Sequence, residues 1–296
     1  MRSWSYTKYG GPYVKVHAAA LNPIDYKRRQ GVLKMILQQQ TWPHVVGYDF
    51  SGMVTHCGDD VDKVALGDEV FGMLPHNDNG ALADFLVVRA EYISKKPTNL
   101  THVEAAALPL AGQTALQSFR LGQLAENKKV LITGGAGGVG SIAIQIAKSV
   151  FKAQTLATTS STKKMEKMRL LGADYVIDYG HKRFEQEVAN FDFALDCTGE
   201  TKQCFQCIIR DGTVVSISET PTWKSLSTCG NHQSITYEYL FVVPDGAAID
   251  EICQLAKQRV ITPIIDKVFP FEKADMAMEY LEAGHATGKV VVQLVD

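Results

Sequence analysis

A cluster of glycines between an apolar strand and an amphipathic helix constrains the fold of this chain more than any other feature. The strand Val130–Thr133 runs into Gly134–Gly140, and a helix with an apolar face follows. Ordered glycines cost conformational entropy, so a plain connecting loop is a poor use for them. Gly135, Gly137 and Gly140 have the spacing that lets the backbone turn, approach a pyrophosphate and pack the helix on the strand. The first helix amides would face that phosphate, so the segment predicts a dinucleotide-binding turn.

The residues after the second strand bear on which dinucleotide binds. That strand ends at Thr159 and Ser160, about twenty residues past the glycines, where an NAD enzyme carries an Asp or Glu for the ribose hydroxyls. Ser161, Lys163 and Lys164 follow, so hydroxyls and two ammonium groups take the place of the carboxylate. This pattern favours the 2′-phosphate of NADPH. The alternative is that the two lysines are solvated residues at the start of the next helix.

The order of predicted elements divides the chain into two parts. Up to about residue 95, short β runs lie between Gly, Pro and Asp turns, which indicates an irregular β-rich domain. From Leu110 onward, strands alternate with helices, and this pattern requires a parallel sheet with helices on both faces. Helices are predicted at Thr114–Leu121, Ile142–Val150, Lys163–Leu171, Ile249–Arg259 and Ala274–Leu281. The last strand, Lys289–Val295, is predicted to return to the first domain.

Composition and charge exclude several functional classes. The chain has 296 residues and a net charge of −2, which suits two domains and gives no basic surface for nucleic acid. It has no apolar run of the ~20 residues needed to cross a membrane and no signal peptide, so a cytoplasmic protein is expected. The six cysteines are scattered and the histidines lack metal-ligand spacing, so we expect free thiols and no metal site. Cys204 and Cys207 are interpreted as core residues rather than as a zinc or redox pair.

Several motifs occur in a fixed order along nearly the whole chain. They are Leu21–Asp25, Gly47–Gly52, Gly67–Phe71, Ala105–Gly112 with Thr114, the glycine turn, Leu171–Tyr179 and Gly288–Val292. In this combination the chain resembles the zinc-independent medium-chain dehydrogenases/reductases of the quinone oxidoreductase (zeta-crystallin-like) and enone reductase family. The resemblance implies an α/β protein with a GroES-like β-rich catalytic domain, residues 1–109 with 257–296, and a Rossmann domain with a doubly wound parallel sheet, residues 110–256.

The resemblance also implies a reaction. The alcohol dehydrogenase branch carries Gly-His-Glu near the position of Gly47–Asp49, together with cysteine and histidine zinc ligands that this sequence lacks. Without a Lewis acid to polarise a carbonyl, alcohol oxidation is a poor expectation. The expected activity is NADPH-dependent hydride transfer to a quinone or to the C=C of an α,β-unsaturated carbonyl, and the family implies a homodimer. The alternatives are a noncatalytic NADPH-binding sensor or structural protein on the same scaffold, and a zinc alcohol dehydrogenase.

The acceptor site implied by the resemblance comprises four residues. Asn22 and Asp25 are expected at the cleft floor. Lys27 completes an Asn-Pro-x-Asp-x-Lys pattern of enone reductases, and its ammonium would donate to the ribose or to the acceptor oxygen. The alternative for Lys27 is an exposed lysine within a basic triplet. Tyr48 is a second candidate donor, and its alternative is an ordinary packing tyrosine.

The implied cofactor contacts are more numerous. Thr114 would contact the nicotinamide carboxamide, while Ser161, Lys164 and Tyr179 would flank the 2′-phosphate. The full cofactor-binding set is Thr114, the turn residues Gly135, Ala136, Gly137, Gly138, Val139 and Gly140, then Thr159, Ser160, Ser161, Lys164, Tyr179 and Cys197, with Phe241 and Val243 at the nicotinamide end and Lys289 near the cofactor's exit.

One departure from the family lies near the start of the chain. Members usually have a further segment, with a proline-rich turn, where Pro12 is joined directly to Tyr13 here. Either the first domain lacks a strand, which would expose a sheet edge, or residues are missing at this point, and we favour the second interpretation. A Pro12 to Tyr13 distance beyond one peptide step would show it. The acceptor's identity, and whether a quinone takes one electron or two, depend on irregular segments at Gly31–Pro43 and Pro221–Tyr239 that the sequence does not place.

Overall fold

The computed structural model describes residues 11–34, 37, 43–218 and 234–295, and every structural statement below refers to these residues. The chain divides into two compact units. Unit 1 comprises Met1–Leu110, Val243–Gln258 and Ile264–Asp296, and unit 2 comprises Ala111–Val242 and Arg259–Pro263. Within the described ranges, no helix combines the length and the apolar character needed to cross a membrane.

Both units contain strands and helices in the described residues. The strands are β1 Tyr13–Leu21, β2 Asp49–His56, β3 Glu69–Met73, β4 Phe85–Val87, β5 Ile93–Lys95, β6 Lys129–Ile132, β7 Thr155–Ser160, β8 Tyr175–Asp178, β9 Phe191–Asp196, β10 Ile208–Ser216, β11 Thr236–Tyr239, β12 Ile265–Pro270 and β13 Lys289–Gln293. The α-helices are α1 Pro23–Arg29, α2 His102–Ala106, α3 Pro109–Leu121, α4 Gly138–Ser149, α5 Met165–Leu170, α6 Phe184–Glu187, α7 Thr201–Cys207, α8 Gly246–Lys257 and α9 Ala274–Glu282. Short 3₁₀ helices cover Ala90–Tyr92, Thr162–Lys164 and Phe271–Lys273.

Unit 1 is built on a mostly antiparallel sheet of seven strands. Their order is β12-β13-β1-β2-β3-β5, and β4 also pairs with β1. Val14 and Val16 of β1 are fully buried and pack with Phe50 and Val54 of β2, which removes their apolar surface from water. Because β13 pairs with β1, the end of the chain completes this sheet and brings Lys289 beside the end of β1.

The first described residues pair with the segment around β4. Val88 N donates to Pro12 O at 3.2 Å, and Tyr13 lies opposite Val87. Pro12 and Tyr13 therefore lie against successive residues of the neighbouring segment, Val88 and Val87. The interpretation that residues are missing between Pro12 and Tyr13 stays a prediction.

Unit 2 contains a sheet of six strands that are all parallel. Their order is β11-β10-β9-β6-β7-β8, so the first three strands in sequence run to one side and the next three run to the other. The strand order reverses between β6 and β9, and in such sheets ligands bind outside the carboxyl ends of the strands at this reversal. The predicted doubly wound parallel sheet is confirmed, and the glycine turn directly follows β6.

Several predicted helix boundaries differ from the structure. α3 begins at Pro109 rather than Thr114, since proline suits the first position of a helix. α4 begins within the glycine cluster, at Gly138 rather than Ile142. The helix predicted from Lys163 starts as a 3₁₀ turn and becomes α-helical only at Met165.

Helix α8 lies in unit 1, whereas the predicted boundaries put it in the Rossmann domain, residues 110–256. Cys253 Sγ donates to Lys95 O at 3.2 Å, and Asn99 Nδ2 donates to Ala256 O at 3.1 Å. These bonds join α8 to the β-rich unit. The predicted domain boundaries stay a prediction, and they differ from the two units in the unit to which α8 belongs.

The described cysteines carry no disulfide. Cys57, Cys197, Cys204, Cys207 and Cys253 are free, as expected, and Cys229 lies outside the described residues. Cys204 and Cys207 are buried on α7 in the core of unit 2, which agrees with their interpretation as core residues. The segment after Cys207 does not continue a helix, because β10 begins there.

Candidate functional site

The glycine turn after β6 is held by the end of β7. Gly134 has a φ of +63°, a conformation that favours glycine, and its N–H donates to Thr159 Oγ1 at 2.8 Å. Gly135 N donates to Thr159 O at 3.0 Å. The side-chain hydroxyl and the backbone carbonyl of Thr159, a predicted cofactor residue, thus both support the turn.

The three spaced glycines have different surroundings. A methyl group on Gly135 would lie 2.1 Å from Thr158 Oγ1, and one on Gly140 would lie 2.3 Å from Gly134 O. Both positions need glycine for packing. A methyl group on Gly137 would meet only Gly134 O, at 3.3 Å, so space remains on that side of the turn.

The same turn leads into the N-terminus of a helix. Gly137 is the N-cap of α4, and the first amides of a helix have no acceptor within the helix. Their N–H groups and the positive end of the helix dipole favour an anion. The open side of Gly137 and this helix end fit the pyrophosphate of a dinucleotide.

The residues predicted around the adenosine ribose lie at the ends of β7 and β8. Ser160 is buried, and its Oγ has no hydrogen-bond partner in the described part of the chain. Ser161 and Lys164 are half-buried, and Tyr179 is exposed. The edge therefore offers a buried hydroxyl without a partner and one ammonium group.

A carboxylate that the sequence analysis missed lies at the same edge. Asp178, the last residue of β8, pairs in register with Ser160. Its oxygens accept hydrogen bonds from Thr162 Oγ1 and, at 2.9 Å, from Gly180 N. The bond from Thr162 holds the pKa of Asp178 below its usual value, so the group is ionised at neutral pH. Its signal in the sequence was its place at the end of the next parallel strand.

A second missed carboxylate, Asp196, lies at the carboxyl end of β9. Asp196 Oδ1 accepts from the backbone N–H groups of Thr198, Gly199 and Glu200 at 2.9 to 3.1 Å. It also accepts from Thr133 Oγ1, after β6, at 3.1 Å. Because β6 and β9 are neighbours, these bonds fix the loop after β9 beside the glycine turn.

The remaining predicted cofactor residues divide between the units. Cys197 N donates to Thr133 Oγ1 at 2.9 Å, and burial raises the pKa of the Cys197 thiol, which stays protonated at neutral pH. Thr114 is 4% exposed on α3, and Phe241 is half-buried. Both belong to unit 2, whereas Val243 and Lys289 belong to unit 1.

Unit 1 contains a buried polar network around Asp49. Lys289 Nζ donates to Asp49 Oδ2 at 3.0 Å and to Asn22 Oδ1. Asn22 Nδ2 donates to Asp49 Oδ2 at 2.8 Å, and Leu110 N donates to Asp49 Oδ1 at 2.7 Å. Burial raises the pKa of Asp49, and the charge of Lys289 opposes this rise. The network joins two predicted residues, Asn22 and Lys289, through an aspartate that the sequence analysis did not select.

Asp25 extends this network through the backbone. Its Oδ2 accepts from Asn22 N at 2.7 Å, and its Oδ1 accepts from Gly47 N at 2.9 Å. As the third residue of α1, it reaches back to the N-cap in the manner of a capping box. Burial raises its pKa to about 7, against the effect of the two amides. Asp25 thus fixes the start of α1 and is partly protonated at neutral pH.

Tyr48 is placed beside Arg28. Arg28 Nη1 donates to Tyr48 Oη and to His76 O, and the guanidinium carbon lies 6.0 Å from the centre of the Tyr48 ring. Burial raises the pKa of Tyr48, and the hydrogen bond from Arg28 opposes this. Lys27 is half-buried, and its ammonium has no hydrogen-bond or ion-pair partner among the described residues. The structure therefore hydrogen-bonds Tyr48 to Arg28, not to Lys27.

A further cluster in unit 1 resembles a serine–histidine–acid arrangement. His102 Nδ1 lies 2.8 Å from Ser51 Oγ, and His102 Nε2 lies 3.1 Å from Glu69 Oε1. Ser51 is fully buried and its hydroxyl donates to Val70 O at 2.8 Å, so it is not placed to attack a substrate. Over the described ranges, no group of three or more His, Cys, Asp or Glu residues could hold a metal ion.

Two protein families match the chain. Residues 10–98 match the alcohol dehydrogenase GroES-like domain, and residues 171–292 match the zinc-binding dehydrogenase family. The first match covers the β-rich part of unit 1 and confirms its predicted GroES-like fold. The second covers most of the parallel sheet and the return to unit 1.

Relatives match over almost the whole chain. The 2-methylene-furan-3-one reductase of Solanum lycopersicum is 36% identical over 320 positions, which cover 99% of this chain and 79% of the relative. The chloroplastic NADPH-dependent alkenal/one oxidoreductase of Arabidopsis thaliana is 34% identical, with the same coverage. The structure of the quinone oxidoreductase from Coxiella burnetii has a TM-score of 0.86 at 32% identity and covers 98% of this chain and 93% of that one. The 320 aligned positions exceed the 296 residues of the chain, so the relative has residues that this chain lacks.

Proposed function

This chain belongs to the medium-chain dehydrogenase/reductase family, among the quinone oxidoreductases and enone reductases, and we propose that it transfers a hydride from NADPH to a quinone or to the C=C of an α,β-unsaturated carbonyl without a catalytic metal. The matches to named relatives confirm the predicted family and the predicted oxidoreductase class. The observation that carries the proposal is the turn from β6 to α4, where Gly135 and Gly140 are required by packing and Gly137 leaves space. Packing of the fold requires glycine at positions 135 and 140, whereas the open space at Gly137 is explained by a bound ligand.

The reduced nicotinamide supplies the hydride when it is bound. The residues of unit 2 bind and orient the dinucleotide: the amides at the start of α4 hold the pyrophosphate, and the loop fixed by Asp196 carries Cys197 beside them. Thr114, Phe241 and Val243 are proposed at the nicotinamide end. Lys289 is kept as a proposed cofactor-site residue, although its partners Asn22 and Asp49 also give it a structural role.

NADPH is preferred over NADH in this proposal because of the end of β7. Ser160 has an Oγ without a partner among the described residues, and the ammonium group of Lys164 follows within the same segment. Asp178 acts in the opposite sense, because its negative charge would repel a 2′-phosphate close to it. The preference therefore depends on whether Ser160, Ser161 and Lys164 outweigh Asp178.

The cofactor test compares Michaelis constants for NADPH and NADH in the wild type and in Lys164→Ala. A charge-assisted hydrogen bond contributes about 1.5–3 kcal/mol, so the KM for NADPH should rise about 10- to 100-fold while that for NADH stays unchanged. Lys167→Ala, an exposed lysine of α5, is the matched control. A wild-type preference for NADH would refute the choice of NADPH and leave the family assignment intact.

The acceptor chemistry needs donors for negative charge that develops on oxygen. Lys27 and Tyr48 are the proposed donors, and Asn22 and Asp25 form the buried support from which α1 starts. Lys27→Ala should lower kcat with little effect on NADPH affinity. Unchanged turnover in this variant would remove Lys27 from the mechanism.

A panel of quinones and enones, followed by NADPH absorbance, tests the whole proposal. Turnover with either class supports it, and product analysis of a reacting quinone distinguishes one-electron from two-electron reduction. NADPH binding without turnover of any acceptor would favour the noncatalytic sensor. The homodimer and the cytoplasmic location stay predictions, which light scattering and cell fractionation would test.

A further inference from the structure

Arg28 is a half-buried cation that lacks a carboxylate partner in the described part of the chain. Its Nη1 is used by Tyr48 Oη and His76 O. Its Nη2 is buried and has no hydrogen-bond partner there. A charged donor that is withdrawn from water and left without an acceptor is costly, so this N–H group favours a ligand that brings an oxygen atom to it.

The hydroxyl group of Tyr48 is a second donor, next to the guanidinium of Arg28. Its hydroxyl oxygen accepts from Arg28 Nη1, and this is the only hydrogen bond of that hydroxyl among the described residues. The hydroxyl proton therefore has no acceptor there. Because Arg28 donates to the phenol oxygen, it polarises the O–H group and makes it a stronger donor. Two adjacent donors thus lack an acceptor.

We propose that the Tyr48 hydroxyl and Arg28 Nη2 together bind the carbonyl oxygen of the acceptor, and that the charge of Arg28 adds to the stabilisation of the oxyanion. This rests on the proposed function. A hydride added to the β-carbon of an enone turns the C=C electron pair into the enolate double bond and the carbonyl pair into a negative charge on oxygen. A proton from solvent then adds to the α-carbon; bound NADPH would supply the hydride and thereby be oxidised to NADP⁺. Donors shielded from water stabilise such a charge more strongly than exposed donors do.

Arg28 and Lys27 are not interchangeable in this assignment. They are successive residues of α1, so their side chains leave the helix about 100° apart. Only Arg28 contacts Tyr48, and only the planar guanidinium presents one N–H group to Tyr48 and another to a ligand. The site selects acceptors that carry a carbonyl or quinone oxygen beside the reducible bond.

The first experiment measures kcat and KM for 3-penten-2-one, a small enone, together with the Kd for NADPH. Arg28→Gln should lower kcat about 100-fold, as expected for loss of an oxyanion donor, and leave the Kd for NADPH unchanged. Tyr48→Phe should act similarly, and the double variant should lose less than the product of the two effects because both donors serve one oxygen. Arg29→Gln, an exposed neighbour paired with Glu282, is the control and should match the wild type.

The outcomes separate this assignment from the proposed function. Absence of turnover in the wild type refutes the proposed function, whereas wild-type turnover that Arg28→Gln leaves unchanged refutes the role of Arg28 alone. Arg28→Lys keeps the positive charge but loses the planar guanidinium with its two N–H-bearing nitrogens. This variant should fold even if Arg28→Gln does not, and it should recover only part of the wild-type kcat.

A second measurement needs no turnover. In complex with the NADP⁺-bound protein, 4-nitrophenol serves as an oxyanion probe whose ionisation is followed by absorbance. The two donors should lower the pKa of the bound phenol below its value in water, and Arg28→Gln should abolish this shift. Absence of binding, or equal pKa values in wild type and variant, would overturn the site.

Discussion

The strongest stability prediction concerns Lys289, which is 4% exposed and lies 3.0 Å from the fully buried Asp49. Lys289→Met keeps a long apolar side chain but removes the only cation that contacts Asp49 among the described residues. Asp49 retains the bonds from Asn22 Nδ2 at 2.8 Å and Leu110 N at 2.7 Å, but its charge is no longer compensated. Breaking a buried pair in this way costs about 3–5 kcal/mol of unfolding free energy.

Urea unfolding followed by circular dichroism measures this loss. The matched control is Lys95→Met, since Lys95 pairs with Asp68 at 2.7 Å but is 60% exposed, and loss of such a surface pair costs about 1 kcal/mol or less. Asp49→Asn combined with Lys289→Met should recover part of the loss, because it removes the uncompensated charge.

The stability difference between Lys289→Met and the wild type should depend on pH in one direction. Burial already raises the pKa of Asp49 from its ordinary value of 3.8, and removal of Lys289 raises it further. A carboxyl whose folded-state pKa is raised contributes stability below its unfolded value and loses that contribution as pH rises. The difference between Lys289→Met and wild type should therefore grow from about pH 4 to pH 7. A difference below about 1 kcal/mol at pH 7, or one that does not change with pH, would refute the reasoning.

Three further perturbations test other parts of the molecule. Gly137→Ala should weaken NADPH binding about tenfold or more with an unchanged Tm, whereas Gly140→Ala should lower Tm because its methyl group would lie 2.3 Å from Gly134 O; equal effects on Tm would contradict this division. The pKa of Asp25 is raised to about 7, so Asp25 contributes stability below pH 3.8 that is lost as pH rises toward 7. Across this range the unfolding free energy of Asp25→Asn should therefore change less than that of the wild type, by about 1 kcal/mol or more. The pKa of His17 is lowered by burial and by Lys15, so its contribution is present above pH 6.5 and is lost as pH falls; His17→Gln should flatten the decline of Tm between pH 7 and pH 5, and an identical decline would count against it.

The parallel sheet and the glycine turn could be predicted because their signals are local. A period of strands and helices, and the spacing of Gly135, Gly137 and Gly140, are properties of short segments. The start of α4 was predicted too late in the sequence because glycine is a poor helix former. The structure nevertheless places Gly138 and Gly140 in the first turn of this helix.

The hydrogen-bond networks could not be predicted because their members are distant in sequence. Asp196 and Thr133 are 63 residues apart, and Asn22 and Lys289 are 267 residues apart. Spacing carries no signal over such separations. The family resemblance selected Asn22 and Lys289 for different roles, and only the pairing of β1 with both β2 and β13 shows that Asp49 joins them.

Lys289 and Arg28, two cations of unit 1 with buried nitrogen atoms, show why burial alone does not identify a binding residue. Lys289 lies against Asp49 and Asn22, so its charge is compensated by the protein and its loss should appear first as a loss of stability. Arg28 has a hydroxyl and a carbonyl as partners, neither of which carries a compensating charge, and one buried N–H group without an acceptor among the described residues. A cation in that state gains interaction energy only when an oxygen with negative charge arrives, and such an oxygen develops in hydride transfer to a conjugated carbonyl. Loss of Arg28 should therefore appear in kcat, and comparison of Arg28→Gln with Lys289→Met separates a cation that supports the fold from one that awaits a substrate.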